Sequence, residues 1–363
     1  MKCLRCGNRD LRHFFSLKGK NICRKCLMFS SGLLNKASYS FKEDIDAEYL
    51  LGFELTKAQN DLSKKVVSKI KNKKDVLIFA ACGTGKTEII LETIKYCLEN
   101  KLKVGIAIPR RQVVLQLKSR FQKYFSKISI VGVCEGFTKD LFADLIICTT
   151  HQLHNYPQYF DVLVIDEPDA FPFSGNPLLQ ALAENSVIGN IVYMSATPTN
   201  EMKRLDTLTL FRRYHGHDLL VPKVVIGFKL FLYFKMYKWI TLNKKVLLFV
   251  PTIALAQKLS KLLTYPAIHS KSNNNDEIIK GFDQGDYNVL ITTTIMERGI
   301  TLEGVNICVL FADHPVFNEA SLIQIAGRVG RTTTCPSGFG VFLCEQKSEK
   351  VMRCIKELEM MNA

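Results

Sequence analysis

The sequence predicts an α/β protein in which two parallel-sheet domains follow a small metal-binding ribbon. Three observations predict it. Apolar runs of strand length alternate with helical stretches in two successive series, a glycine-rich loop joins the first of these strands to a helix, and four cysteines stand in two close pairs near the N-terminus. At 363 residues the chain is too long for one ordinary core. It suits two or three units of roughly 100–200 residues each.

The ribbon comes first in the chain. Cys3-x2-Cys6 and Cys23-x2-Cys26 are separated by sixteen residues, a spacing with which two tight turns bring four thiolates to one tetrahedral point. Zinc there would supply the folding free energy that a segment of about forty residues cannot obtain by burying apolar surface. Cys3, Cys6, Cys23 and Cys26 are therefore the expected zinc ligands, and a closed four-cysteine site is structural. A cytoplasmic location disfavours disulfides, and the paired C-x-x-C spacing disfavours free thiols. That location is expected because the first ten residues are polar and basic, without the apolar core of a signal peptide. No window offers the ~18 unbroken apolar residues of a spanning helix. His13 is expected on the ribbon surface, since four cysteines already fill the metal shell. Lys2, Arg5, Arg9, Arg12, Lys18, Lys20, Arg24 and Lys25 make the ribbon basic, which suits phosphate contact and a solvated face equally. The formal charge of the whole chain, +15, favours a polyanionic partner without identifying it.

Residues 27–50 carry no clear period and read as a connector, after which residues 56–71 alternate apolar and basic side chains in a helical manner. The first series of strands is expected at 75–81, 103–108, 129–133, 145–150, 161–166 and 190–196. The second is expected at 246–250, 266–269, 288–293, 307–312 and 339–344. Apolar strands alternating with helices imply parallel sheets covered on both faces. The expected domains are 1–50 for ribbon and connector, 51–215 for the first α/β domain and 216–363 for the second. Between them, Gly216, Pro222 and Gly227 suggest an exposed crossing before a helix-like run at 230–242, in which Trp239 is expected to pack.

The strand at 75–81 runs into Ala80-Ala81-Cys82-Gly83-Thr84-Gly85-Lys86-Thr87 and then a helix, the context that a phosphate-binding loop requires. Ala80 stands where the general pattern has its first glycine. Gly83 and Gly85 let the backbone curl through Thr84 so that N–H groups face phosphate oxygens; Lys86 reaches the β and γ oxygens, and Thr87 offers its hydroxyl to Mg2+. ATP and Mg2+ are thus the expected cofactors, and Cys82 is expected to be a small buried filler. The strand at 161–166 ends in Asp166-Glu167, at the carboxyl edge where open α/β sheets bind ligands. Asp166 would hold Mg2+ while Glu167 orients the attacking water. In the second domain, Gln324-x-x-Gly327-Arg328-x-Gly330-Arg331 offers Arg328 and Arg331 as cations that meet the γ-phosphate across a cleft. Arg213-Tyr214-His215-Gly216-His217 has two histidines but no third ligand nearby, so a structural or hinge role is expected there rather than a metal.

In this order the motifs resemble those of superfamily 2 helicases, which implies two RecA-like P-loop NTPase domains. Leu55-Thr56-Lys57-Ala58-Gln59 looks like the adenine-reading glutamine motif, implying Gln59 at the base. Pro109-Arg110-Arg111 and Thr149-Thr150-His151-Gln152 look like strand-contacting elements. Asp166-Glu167-Pro168-Asp169 looks like the DEAD-type box and Ser195-Ala196-Thr197 like the coupling motif. Thr292-Thr293-Thr294 through Glu297-Arg298-Gly299 looks like motif five, and the arginine pair like motif six. Pro168, which lacks an N–H and has a fixed φ, is expected to alter how Asp169 reaches the coupling motif.

Within that superfamily the chain is most similar to the ComFA-type late-competence ATPases of Gram-positive bacteria. The resemblance rests on Asp166-Glu167-Pro168-Asp169-Ala170-Phe171-Pro172-Phe173, on the five residues from Arg213 to His217, and on the leading four-cysteine ribbon. It implies a cytoplasmic ATPase, stimulated by single-stranded DNA, that helps draw transforming DNA through a membrane channel. Its implied partners are other late-competence proteins, including a phosphoribosyltransferase-like one, which would bring it to the inner face of the membrane; homo-oligomerisation stays open. Two rivals share the motifs. One is a general superfamily 2 DNA helicase of repair or replication restart. The other is a nucleic-acid-binding regulator with a vestigial ATPase, against which the retained lysine, carboxylates and arginines speak.

Overall fold

The computed structural model describes residues 1–17, 19–29, 45–272, 274–297 and 302–363. Lys18, most of the connector, and Arg298 and Gly299 of the fifth motif lie outside the described residues. The chain divides into two compact units, Met1–Ala80 with Gly85–Leu210 and Ala81–Thr84 with Phe211–Ala363. The division falls after Leu210, a few residues before the boundary expected at 215, because the side chains of Arg213, Tyr214 and His215 bond to the loop around Gly330. The ribbon belongs to the first unit.

The ribbon is an antiparallel hairpin of β1 (Phe14–Leu17) and β2 (Lys20–Cys23), flanked by the two cysteine pairs. Beyond it, α1 (Lys57–Lys71) begins at a capping box in which Thr56 and Gln59 satisfy each other's backbone N–H groups. A seven-stranded sheet follows, built from β3 (Val76–Ala80), β4 (Val104–Ile108), β5 (Ile130–Val133), β6 (Leu145–Thr149), β7 (Phe160–Asp166), β8 (Val187–Ser195) and β9 (Asp206–Leu210). Its order is β5-β6-β4-β7-β8-β3-β9 and every pairing is parallel. All carboxyl ends therefore share one edge. The helices of this unit are α2 (Lys86–Ile89), α3 (Leu91–Glu99), α4 (Arg111–Tyr124) and α5 (Pro177–Ser186).

Because side chains alternate along a strand, each strand feeds two cores. Val162 and Val164 of β7 join Leu62, Ile94, Leu98, Val114 and Phe121 from α1, α3 and α4. Leu163 and Ile165 join Leu153, Tyr156, Leu179 and Leu182 on the other face. The four ribbon cysteines belong to that second cluster. Asn185, near the end of α5, donates from Nδ2 to Leu4 O (2.7 Å) and Arg5 O (2.9 Å), and Phe29 stacks on His154 with ring centroids 4.6 Å apart. The ribbon is thus part of the body of the first unit. Asn185→Ala removes both amide bonds and leaves the two carbonyls to find water, so a loss of about 1–3 kcal/mol is expected, read as a lower urea midpoint at unchanged m-value.

The second unit holds β10 (Lys223–Ile226), β11 (Val246–Phe249), β12 (Ala267–Ile268), β13 (Val289–Thr292), β14 (Asn306–Leu310) and β15 (Gly340–Cys344). They form a six-stranded parallel sheet in the order β10-β15-β14-β11-β13-β12. Its helices are α6 (Lys229–Leu242), α7 (Ile253–Leu263), α8 (Asn275–Gln284), α9 (Glu319–Ala326) and α10 (Glu349–Asn362). Trp239 packs against the core of this unit beside Leu232, Met236 and Ile240. Two strands differ from expectation: β9 falls after the first series, where no strand is expected, and β10 falls within the segment expected to be an exposed crossing. Both are sheet edges, and no residue of β10 and only Leu210 of β9 is fully buried, so neither carries an unbroken apolar run. No helix among the described residues is long and apolar enough to cross a membrane.

Candidate functional site

The loop expected to bind phosphate begins where β3 ends. Gly83 and Gly85 sit in the left-handed region, at φ 81° and 80°, which glycine adopts without strain. A Cβ on Gly85 would also collide with Nε2 of Gln59. Oε1 of that glutamine accepts from the backbone N (2.9 Å) and hydroxyl (3.0 Å) of Thr56, so Gln59 is buried as a capping residue lying directly against the loop. Lys86 Nζ donates to Ala80 O at 2.9 Å, across the base of the loop, and Thr84 Oγ1 donates to Ala81 O at 2.9 Å. Cys82 is buried, as expected of a filler. One residue beyond Thr87, the carboxylate of Glu88 is buried and ion-paired to Arg120 of α4, an anchor that sequence inspection did not single out.

Asp166 and Glu167 lie at the carboxyl end of β7, the strand paired between β4 and β8. Glu167 takes φ 54°, a left-handed conformation that costs a non-glycine residue on the order of 1 kcal/mol or more. The turn is held by Glu167 N donating to Met194 O (3.0 Å) and Ala170 N donating to Glu167 O (2.9 Å). Burial first, and then the neighbouring charge of Glu167, push the Asp166 carboxyl up to about 7, with Lys86 opposing. Oδ1 of Asp166 is buried and takes no hydrogen bond among the described residues. A buried carboxylate oxygen without a donor fits a hard divalent cation of the Mg2+ type, and Thr87, in α2, is the hydroxyl expected to share it.

Asp169 completes this edge. Ser195 Oγ donates to its Oδ1 at 2.6 Å and Thr197 Oγ1 to its Oδ2 at 2.7 Å, while Thr197 N donates to Ser195 Oγ at 2.9 Å. With Pro168 beside it, Asp169 thus reaches Ser195 and Thr197 through both of its carboxylate oxygens. Of the expected strand-contacting residues, Arg111 opens α4, donates to Glu135 O (2.9 Å) and lies over Phe137, while Thr150 is buried.

In the second unit, α9 is capped by a reciprocal Asn318–Ser321 box and runs into the arginine loop. Arg328 is buried; Arg331 is partly exposed and donates from Nε to Gly327 O at 2.9 Å. Arg213 is also buried, and it donates to Val329 O (2.8 Å), Gly330 O (2.6 Å) and Gly327 O (3.3 Å). Tyr214 Oη donates to Arg331 O (2.9 Å) and His215 Nε2 to Gly330 O (2.9 Å). Those bonds to carbonyls leave His215 tied to the loop rather than grouped with metal ligands. Nothing in the spacing of this segment signalled its partners more than a hundred positions away.

In the ribbon, the ligand atoms of Cys3, Cys6, Cys23 and Cys26 all lie within 4.8 Å of one another, with Cys3–Cys26 at 3.8 Å and Cys6–Cys23 at 3.9 Å. Four sulfurs at about 2.3 Å from a tetrahedral zinc would stand about 3.8 Å apart, so the spacing is compatible with a zinc site and far from a disulfide. A hydrogen bond from Cys26 holds the Cys3 thiol down, to about 4, while Cys26 itself is pushed up by the same contact and by burial. His13 lies outside this cluster.

Residues 52–200 match the family model for the type III restriction enzyme res subunit, and residues 231–333 match the helicase conserved C-terminal domain. The chain is 32% identical to the competence protein ComFA of Streptococcus pneumoniae strain R6, over 99% of this chain and 90% of that protein. It is also 32% identical to the ComFA of Bacillus subtilis strain 168, over 99% of this chain and 85% of that protein. Among solved structures, Saccharomyces cerevisiae Dbp5 bound to RNA and ADP BeF3 shares the fold at a TM-score of 0.60 and 17% identity, covering 85% of this chain and 92% of that one.

Proposed function

The chain belongs to the ComFA family of competence proteins and is an ATP-hydrolysing enzyme of the helicase type, and from that premise we propose that it moves along single-stranded DNA during the uptake of transforming DNA. The observation that carries this reading is the arrangement of Lys86, Thr87, Asp166 and Glu167 at one sheet edge, with Asp169 bonded from Glu167's own turn to Ser195 and Thr197. An edge wired in this way can pass a change at the γ-phosphate into the body of the unit.

In this reading Gly83, Thr84 and Gly85 present backbone N–H groups to the phosphates, Lys86 leaves Ala80 O for the β and γ oxygens, and Gln59 stands near the base. Thr87 and Asp166 would hold Mg2+, which when bound neutralises charge on the phosphate oxygens. Glu167 orients the attacking water. Arg328 and Arg331 meet the charge that develops on the transferring phosphoryl group. Cys3, Cys6, Cys23 and Cys26 would bind a structural zinc. Strand contact rests on phosphates with little base readout, which suits a net charge of +15 and a motor indifferent to sequence. Other late-competence proteins, including a phosphoribosyltransferase-like partner and the membrane DNA channel, are the expected company, and they would bring the protein to the inner face of the membrane.

The test is ATP turnover by the purified chain with single-stranded DNA, single-stranded RNA or duplex DNA at fixed salt, alongside strand displacement on a tailed duplex. Stimulation of tenfold or more by single-stranded DNA, without displacement, is the expected outcome (order of magnitude from the counterion and stacking terms). Equal stimulation by RNA or duplex, or efficient unwinding, would replace this reading with that of a general helicase. No turnover under any condition would leave a regulator.

A further inference from the structure

We propose that Arg213 is a positioning residue for hydrolysis, which with Tyr214 and His215 clamps the loop carrying Arg328 and Arg331 into its working shape. The inference rests on the reading that those two arginines meet the γ-phosphate.

The clamp is made almost entirely through backbone carbonyls. Three consecutive side chains bond the carbonyls of Gly327, Val329, Gly330 and Arg331, which are the peptide units on either side of Arg328 and at Arg331 itself. The loop accommodates this grip at Gly330, which sits at φ 67° and where a Cβ would collide with Pro336 O and stand 2.9 Å from Arg213 Nη1. A larger residue at that position would both strain the backbone and push the guanidinium away. The loop follows α9 and precedes β15, so most of it lies beyond any regular ladder that could fix its shape.

The chemistry of the clamp is unusual for a plain tether. Arg213 is 3% exposed, yet among the described residues no carboxylate bears on its charge; the groups that do are Cys82, Arg331 and Tyr214. Burying a guanidinium without a counter-charge is costly, and carbonyl oxygens offset that cost only if several converge on it. They do so here in the fork geometry that only arginine offers. The same placement adds a third cation beside two proposed to meet phosphate. Repulsion within such a cluster is relieved when an anion arrives, so the clamp sharpens the loop's response to a γ-phosphate as well as fixing its shape.

The experiment compares wild type with Arg213→Lys in the full-length chain. Lysine keeps the charge but not the fork. The expected result is a fall in kcat of about tenfold to a hundredfold, the size of effect that follows a small misplacement of a reacting group. Arg213 Nε also donates to Cys82 O of the glycine loop (3.0 Å), but Lys86 and Thr87, to which ground-state phosphate binding is chiefly assigned, belong to the first unit, so KM for ATP should change by less than about twofold. Affinity for ADP with aluminium fluoride, which mimics the transferring phosphoryl group, should fall with kcat while affinity for AMP-PNP stays put.

Wild-type kcat and wild-type aluminium fluoride affinity in Arg213→Lys would overturn the proposal. Arg328→Ala and Arg331→Ala measured in parallel separate the two ideas. If both keep wild-type kcat, the reading of the arginine pair has failed; if they lose activity and Arg213→Lys does not, only the clamp has failed. Should Arg213→Lys not fold, Tyr214→Phe serves instead, since it deletes one bond at an exposed side chain. There a threefold or larger loss of kcat at unchanged melting temperature is expected, on the order of the worth of one such bond, and no loss would overturn the clamp.

Discussion

Glu167→Gln protein binds ATP with near wild-type affinity and turns it over about a hundredfold to a thousandfold more slowly, the size expected when a water-orienting carboxylate is lost. Glutamine has the shape of glutamate and can keep the φ 54° turn, with its backbone bonds to Met194 O and from Ala170 N, so the change should fall on chemistry and not on folding. Lys86→Ala is the contrasting variant. It removes the ammonium now bonded to Ala80 O and should weaken ATP binding as well as turnover, by a similar or larger factor. Equilibrium binding of a fluorescent ATP analogue and steady-state turnover on the two proteins make the comparison. A Lys86→Ala protein that hydrolyses ATP at the wild-type rate would remove the loop from the mechanism.

Metal removal should have the second largest effect. Protein purified without chelator is expected to contain zinc at one equivalent per chain, by elemental analysis. Replacing Cys3 and Cys26 with serine, or stripping the metal with a strong chelator, takes away the coordination that folds the ribbon. Because the four cysteines are continuous with the apolar cluster of Leu153, Tyr156, Leu179 and Leu182, the damage should not stop at the ribbon. A fall of about 10 °C in the melting temperature of the first unit is expected, from a loss of roughly 3–5 kcal/mol. Acid should release the zinc as thiolates take up protons, so the metal-dependent part of the stability is lost as pH falls. Protein that contains no metal, or that melts identically with and without it, would rule out the site.

What the sequence made legible follows physical lines. Strands buried on both faces, such as Val162 to Ile165, must be apolar throughout, and that leaves a run which can be read directly. The glycines of the loop after β3 were legible for a similar reason, since left-handed backbone at 83 and 85 demands them. Strands β9 and β10 were missed because an edge strand is exposed on one side and needs no such run. Thr56-x-x-Gln59 fits a helix-capping signature, yet the resemblance led instead to a base-reading role; the carboxamide does cap α1, and it also packs on Gly85. Partnerships through carbonyls were the least legible. Asn185 with Leu4 and Arg5, and Arg213 with Gly327, Val329 and Gly330, depend on acceptors that every residue has, so no pattern of side chains announces them. The left-handed turn at Glu167 is likewise invisible in a sequence that puts glutamate there.

The docking of the ribbon has a mechanical consequence. A protein that pulls a polymer, as proposed for this one, must brace against something, and its stroke is useful only if the brace does not give. A ribbon hung on a flexible linker of about fifteen residues would yield by roughly 20 Å before bearing load. Here Asn185 grips the backbone at Leu4 and Arg5, and Phe29 rests on His154, so tension applied at the cysteines enters the seven-stranded sheet without slack. Anything that anchors the ribbon therefore anchors the sheet edge where ATP is proposed to bind.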